Sequence, residues 1–295
     1  MTISRLMDDA LALVAPKDLS RRAFVRSSVG TGFAAATLPI MAQTVVQTTA
    51  AGLDAGEVNI PAGNFNMPAY RAVRAGVKNA PVVLVVSEIF GVHEHIADVV
   101  RRFAHLGYCA IAPELFVRQG DAGNYAEIGK LIAEVISQVP DAQVMTDLDA
   151  CVAWAGQQGM DTKRLAITGF CWGGRITWLY AAHQPAVKAG VAWYGRLEGD
   201  VSKLNPVHPV SVVGHLRGPV LGLYGGKDAG IPLHSTVRMK AALARGSAPA
   251  KASEFEVYPD APHAFHADYR PSYRAEAAQD GWARCLRWFQ AQGVA

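Results

Sequence analysis

The chain has 295 residues, of which 51% are hydrophobic and 18% are charged. This balance is ordinary for a soluble α/β domain, and a chain of this length buries enough apolar surface to fold without disulfide bonds. The formal net charge is only +3 and the basic residues are scattered, which argues against a protein that binds nucleic acid. We therefore expect small-molecule partners and no nucleic acid.

The N-terminal extension, residues 1–50, predicts an export signal. The paired arginines Arg21 and Arg22 precede an uncharged, weakly apolar stretch at 27–41. This order is typical of a twin-arginine signal, which delivers an already folded protein to the periplasm through the twin-arginine (Tat) export machinery. We therefore expect a periplasmic protein whose folded domain spans 51–295, with no stable membrane insertion after cleavage.

The alternatives for this extension are an amphipathic helix and an uncleaved membrane anchor. The uncharged stretch is shorter than the roughly 20 residues that a spanning helix needs, and Pro39 interrupts it, so an anchor is disfavoured. Small residues at Ala42 and at 48–51 are both candidate cleavage points, and neither forms a clean A-x-A site.

Strand-like and helix-like segments alternate through the rest of the chain. Strands are predicted at 56–60, 67–74, 81–87, 108–112, 165–169, 187–193, 219–224 and 255–258. Helices are predicted at 95–106, 124–138, 142–157, 173–180, 232–245 and 272–290. After an antiparallel start, this alternation predicts a doubly wound, mostly parallel sheet with helices on both faces. Ligands of such sheets bind beyond the carboxyl ends of the strands.

The run 165–174 predicts a sharp strand-to-helix turn that displays Cys171. An apolar strand ends at Gly169, and Gly173 and Gly174 open a helix, so small residues permit the strained turn that lifts the central side chain. The helix N-terminus favours negative charge on the sulfur, and its free N–H groups can receive an oxyanion. Because a thiol is mostly protonated at neutral pH, another group must help to ionise it. The alternative is a small buried cysteine in a tight turn.

Two later strand ends carry the partners that a nucleophilic cysteine needs. Asp228 follows the strand at 219–224 and a glycine pair, and His263 lies in the loop after the strand at 255–258. Separately, Asp228 would be a turn residue and His263 a surface histidine. Together they have the order nucleophile, acid, histidine that defines the triad of an α/β-hydrolase fold.

The loop that follows the strand at 81–87 is expected to complete the site. It places Glu88 at the mouth of the site, near Cys171. The backbone N–H groups of Trp172 and Ile89 are the expected donors of the oxyanion hole. The alternative for Glu88 is a cap or a salt-bridge partner.

These motifs together resemble the dienelactone hydrolases (carboxymethylenebutenolidases). The resemblance covers the chain from Val58 to the C-terminus and rests on the E-I-F-G sequence at Glu88, the Cys171 turn, the G-G-K-D sequence at Asp228 and the His263 loop. It implies a single-domain α/β-hydrolase without a separate lid that converts 4-carboxymethylenebut-2-en-4-olide to maleylacetate, with no metal and no cofactor. It also implies that Glu88 holds the resting thiol neutral and takes its proton when substrate arrives.

The chain departs from that family at the arginines that bind the substrate carboxylate. Ala267 stands where the family has an arginine four residues after the histidine, and 125–144 contains no arginine. The expected substrate-binding residues are Arg118, Tyr194, Arg196 and His266, with Arg270 as a further candidate for the missing cation.

The predicted function is hydrolysis of a carboxylic ester or lactone by a Cys-His-Asp triad. Asp228 orients His263, which with Glu88 promotes the Cys171 thiolate that attacks the carbonyl. The alternatives are an esterase or thioesterase for another substrate, and a non-catalytic binding protein on the same scaffold. A metal site is a further alternative; its residues would be His93, Glu94, His95, His263 and His266, which lack the helical i, i+4 spacing of a zinc hydrolase.

The cysteines are not expected to form disulfides, even in an exported protein. Cys109 lies in a predicted strand, and Cys151 and Cys285 lie in apolar-periodic helices, where each is more simply a small core residue.

Overall fold

An eight-stranded sheet organises residues 46–295, the part of the chain that the computed structural model describes. Its strands are β1 Leu53–Ala62, β2 Phe65–Arg74, β3 Pro81–Val86, β4 Cys109–Pro113, β5 Asp161–Phe170, β6 Val187–Trp193, β7 Val220–Gly225 and β8 Glu254–Tyr258. The predicted twin-arginine signal and the Ala42 cleavage point lie outside the described residues.

The strand order is β1-β2-β4-β3-β5-β6-β7-β8. The β1–β2 and β2–β4 pairs are antiparallel, and the strands from β4 to β8 pair in parallel. All six residues of β3 are buried, as expected for a central strand with both faces covered by helices. This is the α/β-hydrolase fold, so the predicted fold class is confirmed.

The helices connect the strands and pack on the sheet. They are α1 Glu94–His105, α2 Ile128–Glu134, α3 Asp141–Gln157, α4 Trp172–His183, α5 Pro209–Val212, α6 Leu233–Leu243, α7 Ala248–Lys251 and α8 Ala275–Ala291. Within residues 46–295, no helix is long and apolar enough to cross a bilayer.

The single helix predicted at 124–138 is wrong. The chain instead forms a 3-10 turn at Ala122–Asn124, the short helix α2 and a second 3-10 turn at Ile136–Gln138. The β-branched residues Val135 and Ile136 favour helix only weakly, and the second 3-10 turn begins directly after Val135, whose φ of -119° departs from the usual helical value. The four-residue helices α5 and α7 were not predicted, because so short a segment shows no periodicity.

Candidate active site

Cys171 lies at the tip of a strained turn between β5 and α4. Its φ of 55° is in the left-handed region, which non-glycine residues rarely adopt. The turn is closed by backbone contacts that leave no room for side chains: a Cβ at Gly169 would lie 2.2 Å from the Gly173 carbonyl oxygen, and one at Gly173 would lie 2.3 Å from that of Val86. This geometry presents one side chain above the sheet, as the sequence predicted.

Asp228 and His263 are joined by a short hydrogen bond. Nδ1 of His263 lies 2.6 Å from Oδ2 of Asp228, and both residues are at least 95% buried. The other carboxylate oxygen accepts the backbone N–H groups of Gly230 and Ile231 at 2.9 and 3.0 Å. Asp228 is therefore both a turn residue and the partner that orients the imidazole, and His263 is not a surface histidine.

Backbone hydrogen bonds between the loops after β7 and β8 set this pair. Gly226 N–H donates to the Tyr258 carbonyl at 2.7 Å, and Lys227 N–H donates to that of Ala261 at 3.0 Å. A Cβ at Gly225 would lie 2.4 Å from the Ala261 oxygen, so glycine is required for this close approach. The two loops therefore hold Asp228 and His263 at one end of the sheet.

The imidazole of His263 lies between Asp228 and the Cys171 sulfur. Burial alone lowers the pKa of His263, but the Asp228 carboxylate and the Cys171 sulfur outweigh burial and raise this pKa well above its usual range. Nε2 has no well-aligned hydrogen-bond partner among the described residues. The ring can therefore accept the thiol proton on Nε2 while Asp228 stabilises the resulting imidazolium.

Glu88 is brought to the same end of the sheet by strand pairing. Val86 of β3 is in register with Gly169 of β5, so the chain emerges at Glu88 beside the Cys171 turn. Glu88 is fully buried, and Nε2 of His93 donates to its Oε2 at 3.2 Å. Burial favours the neutral acid, but His93, with further contributions from His95 and Arg270, lowers the pKa of Glu88 to about 2. Glu88 is therefore an ionised carboxylate at neutral pH.

The two backbone segments expected to form the oxyanion hole lie after neighbouring strands, β3 and β5. Trp172 is the first residue of α4, so its N–H has no acceptor within the helix. Ile89 is buried in the loop after β3, and Gly173 touches the end of β3 at Val86 and Ser87. The arrangement brings the two expected donors of the oxyanion hole to adjacent strand ends.

Comparison with known proteins agrees with this geometry. The family model of the "Dienelactone hydrolase family" matches residues 67–293. The chain belongs to the dienelactone hydrolase family. It is therefore a hydrolase that acts on lactones or esters, with an α/β-hydrolase fold.

Relatives of this hydrolase match it over most of their length. A protein of Methylorubrum extorquens described as "Putative carboxymethylenebutenolidase" is 60% identical over 288 residues, which are 97% of this chain and 98% of that protein. One of Escherichia coli K12 with the same description is 54% identical over 263 residues, 89% of this chain and 96% of that protein. The crystal structure of a "Putative Dienelactone Hydrolase" from Klebsiella pneumoniae has a TM-score of 0.78 at 55% identity, covering 81% of this chain and 98% of that one.

Of the residues expected to bind substrate, Tyr194 lies in the site. Its ring centroid is 5.1 Å from that of His263, its φ is 38°, and its buried hydroxyl has no hydrogen-bond partner among residues 46–295. Burial, with the charges of Glu88 and Cys171, raises the pKa of Tyr194 well above its usual range. The hydroxyl is therefore a neutral donor beside the reacting groups.

The other expected substrate-binding residues have different surroundings. Arg118 is paired with Asp147 of α3, with Nη2 2.8 Å from Oδ1, and its guanidinium lies 4.4 Å from the Phe65 ring centroid. His266 packs among aromatic rings, 4.5 Å from that of Trp193, and burial, with repulsion from nearby cationic groups, lowers its pKa well below the usual range. Neither residue presents a charge for a substrate carboxylate in this arrangement.

Arg196 lines an open crevice with a volume of about 190 Å³ between the loops after β6 and β7. Glu198, Gly230 and Ile231 also line it, so it adjoins the loop that holds Asp228.

Two further residues, Arg270 and Tyr269, are candidates for a functional role. The sequence named Arg270 only as one possible replacement for the missing arginine, and it did not point to Tyr269. The Arg270 guanidinium lies 4.8 Å from the ring centroids of both Phe90 and Tyr269. Burial lowers the pKa of Arg270, but interaction with Tyr269, Glu88 and Cys171 outweighs it and raises this pKa. Arg270, seven residues after His263, therefore provides positive charge at the site.

Three of the four histidines of the alternative metal site are engaged by carboxylates. His93 is bonded to Glu88, His263 to Asp228, and Nδ1 of His95 donates to Asp268 at 3.0 Å. In the described part of the chain, no group of three or more histidine, cysteine, aspartate or glutamate side chains is arranged to hold a metal ion.

All four cysteines are buried free thiols, as predicted. Burial raises the pKa of Cys109 to about 11, and it raises those of Cys151 and Cys285 further. Cys171 differs from these three in lying beside an imidazole.

Proposed function

We propose that this hydrolase cleaves a carboxylic ester or lactone through a Cys171 nucleophile, with His263 as base and Asp228 as its orienting partner. The observation that carries the proposal is the 2.6 Å contact between Asp228 and His263, with the free face of the imidazole beside the strained cysteine turn. A purely structural cysteine would not need a buried Asp-His pair next to it.

In the proposed reaction, the Cys171 proton passes to Nε2 of His263 and the thiolate attacks the substrate carbonyl carbon. The N–H groups of Ile89 and Trp172 stabilise the tetrahedral oxyanion. The C–O bond then breaks, and the imidazolium returns its proton to the departing alkoxide, which leaves an acyl thioester on the sulfur. Water, deprotonated by His263, attacks the thioester; the acid is released and the thiol re-forms.

The substrate we propose carries a carboxylate. Arg270 supports this, because its guanidinium stacks between two aromatic rings close to the reacting groups. The planar guanidinium of arginine can donate two parallel hydrogen bonds to a carboxylate, which the ammonium group of lysine does not. Arg270→Gln should raise KM at least ~10-fold for a carboxylate-bearing aryl ester and leave KM for the matched neutral ester within ~2-fold. Equal losses on both esters would contradict a role in carboxylate recognition.

The catalytic proposal is tested with a chromogenic aryl ester and a lactone. The wild-type protein should release a burst of chromophore equal to the enzyme concentration, followed by turnover, because acylation precedes hydrolysis of the thioester. Cys171→Ala should show neither phase. Turnover by Cys171→Ala at the wild-type rate would refute the cysteine nucleophile, and binding of the lactone without turnover by the wild type would favour the binding-protein alternative.

We also propose that the chain is exported to the periplasm by the twin-arginine pathway, on the basis of Arg21 and Arg22 ahead of the uncharged stretch at 27–41. A fusion of residues 1–50 to a reporter that folds in the cytoplasm should reach the periplasm. Replacement of both arginines by lysine should hold the reporter in the cytoplasm. Export of the lysine variant at the original level would contradict the proposal.

A further inference from the structure

The turn that carries Ile89 is closed by its own backbone with a long hydrogen bond. Ile89 and Phe90 are the central residues of a turn in which the Gly91 N–H donates to the Glu88 carbonyl at 3.4 Å. Gly91 has a φ of 74°, a left-handed conformation that glycine adopts readily. Because most N–H···O bonds are shorter than 3.4 Å, this bond alone holds the direction of the Ile89 N–H only loosely.

Glu114 holds the exit of the same turn from the neighbouring strand end. Its Oε1 accepts the Val92 N–H, directly after the turn, at 2.7 Å. Its carboxylate also lies against Gly91, since a Cβ at that glycine would be 2.8 Å from Oε2. Glu114 follows β4, and its own N–H donates to the Pro68 carbonyl of β2 at 2.9 Å. The sheet therefore fixes the backbone from which this carboxylate reaches the turn.

Phe116, two residues further along the chain, contacts the other residue expected to supply a donor. Its ring is buried, and its centroid lies 4.7 Å from that of Trp172 with an angle of 64° between the planes. An edge-on contact of this kind favours one relative orientation of the two rings. Because β3 lies between β4 and β5 in the sheet, the single segment 114–116 contacts both backbone segments that are expected to form the oxyanion hole.

We propose that Glu114 and Phe116 are positioning residues for the oxyanion hole. Glu114 fixes the turn that presents the Ile89 N–H, and Phe116 fixes the first residue of α4, Trp172, which presents the second N–H. The inference rests on the proposed function, which assigns these two N–H groups to the oxyanion.

A positioning role of this kind affects kcat more than KM. The negative charge on the carbonyl oxygen develops only in the transition state, and donors stabilise it best when they already point at its position. A displaced donor therefore lowers kcat, whereas binding of the uncharged ester, and with it KM, changes little. Removing a whole donor typically costs about 10²–10³-fold in kcat, so displacing one should cost less than that.

The test compares two uncharged side chains of similar size at residue 114. Glu114→Gln keeps an acceptor for the Val92 N–H, and Glu114→Met removes it. With an uncharged aryl ester, Glu114→Met should lower kcat at least ~10-fold while KM stays within ~3-fold of the wild type, and Glu114→Gln should keep kcat within ~3-fold. Equal kcat values for the two variants would overturn the role of Glu114.

Alkylation of Cys171 by iodoacetamide separates a displaced donor from damage to the cysteine turn, because this displacement reaction forms no oxyanion. Glu114→Met should label one Cys171 per chain at a rate within ~2-fold of the wild type. A loss of labelling that matches the loss of kcat would overturn the proposal. Glu127→Met is the control, since Glu127 is exposed and pairs with Lys130, and it should change neither rate.

Glu114→Asp keeps the proposal testable if Glu114→Met does not fold. Aspartate retains the carboxylate but is one methylene too short to reach Val92 from the same backbone position. We expect kcat to fall at least ~3-fold at unchanged KM, since small displacements of groups at a reaction centre are costly. A wild-type kcat for this variant would contradict the role of Glu114.

Phe116→Leu tests the second contact. It should lower kcat at least ~3-fold at unchanged KM, and combination with Glu114→Met should give roughly the product of the two losses, because the two side chains act on different donors. A wild-type kcat for Phe116→Leu would refute its role. Failure of the proposed function has a different signature, namely turnover by Cys171→Ala.

Discussion

Oδ2 of Asp228 lies 2.6 Å from Nδ1 of His263, although the two residues are 35 positions apart and belong to loops after different strands. Oδ1 of the same carboxylate is held by two backbone N–H groups, so the carboxylate cannot rotate away from the ring. This double engagement fixes the imidazole in the tautomer that leaves Nε2 free to accept a proton.

Asp228→Asn should therefore lower kcat by about 10²–10⁴-fold with little effect on stability. The asparagine oxygen can still accept from Gly230 and Ile231, but its NH₂ group would face Nδ1 and force the proton onto Nε2. Asp260→Asn is the matched control, because Asp260 lies in the His263 loop with an exposed side chain that pairs with Lys227. The measurement is kcat for ester hydrolysis by Asp228→Asn and Asp260→Asn under the same conditions. Equal values would show that Asp228 does not orient His263.

One thiol of the four should react rapidly with iodoacetamide in the native protein at pH 7.5. All four thiols are buried, but burial raises the pKa of Cys109, Cys151 and Cys285, whereas Cys171 lies beside the His263 imidazole. Peptide mapping by mass spectrometry should place one label per chain on Cys171, and none on Cys171→Ala. Faster labelling of any of the other three would contradict the special environment of Cys171.

Much of the fold follows from periodicity and strand ends. β6 begins and ends where the apolar run 187–193 predicted, and the ordering of Cys171, Asp228 and His263 along the chain anticipated their meeting. The meeting of these three residues could be predicted because parallel strands bring their carboxyl ends to one edge of the sheet.

The surroundings of Glu88 could not be predicted from the sequence. There, His93 was interpreted as a loop residue or a metal ligand. In the structure, Nε2 of His93 contacts both Glu88 and the hydroxyl of Tyr269, which is 176 positions away from His93. No local pattern encodes a contact of this separation. Tyr194 adopts a positive φ without being glycine or asparagine, which propensities argue against.

Gly173→Ala should prevent formation of the cysteine turn. The added methyl group would lie 2.3 Å from the Val86 carbonyl oxygen and 2.7 Å from that of Ser87, and neither backbone atom can move without displacing β3. We expect a loss of more than about 3 kcal/mol in the free energy of unfolding, or no folded protein. Gly214→Ala is the control, since a Cβ there meets nothing within 4 Å. Urea unfolding of both variants is the measurement, and similar midpoints would contradict the steric argument.

Glu114→Gln should stabilise the protein at pH 8 more than at pH 5. Burial raises the pKa of Glu114 to about 7 even though its Oε1 accepts the Val92 N–H at 2.7 Å. The folded state thus keeps a proton that the unfolded chain releases above about pH 4.5, so this residue's contribution to stability falls as pH rises towards 7. Glutamine carries no charge and can still accept from Val92.

Thermal unfolding at the two pH values measures this difference. Glu127→Gln serves as the control, because Glu127 is exposed and pairs with Lys130 on the surface. A gain for Glu114→Gln that is the same at both pH values would contradict the raised pKa of Glu114.

Any processing of the N-terminal extension should leave Thr48 and Thr49 in the mature protein. Both backbone polar groups of Thr48 are hydrogen-bonded to side chains of α1. Its N–H donates to Asp98, and its carbonyl accepts from Nε of Arg101 at 2.7 Å. Nε2 of His105 donates to the Thr49 carbonyl at 2.8 Å. Cleavage within 48–51 would remove these contacts, so cleavage at Ala42 is favoured.

A chain that starts at Gly52 should be about 1–3 kcal/mol less stable than one that starts at Val46, because Asp98 and Arg101 of α1 lose these partners. Urea unfolding of the two chains measures the difference, and sequencing the N-terminus of protein from the periplasm locates the cut. Equal stabilities, or a mature N-terminus between residues 49 and 52, would show that this segment is not part of the folded domain.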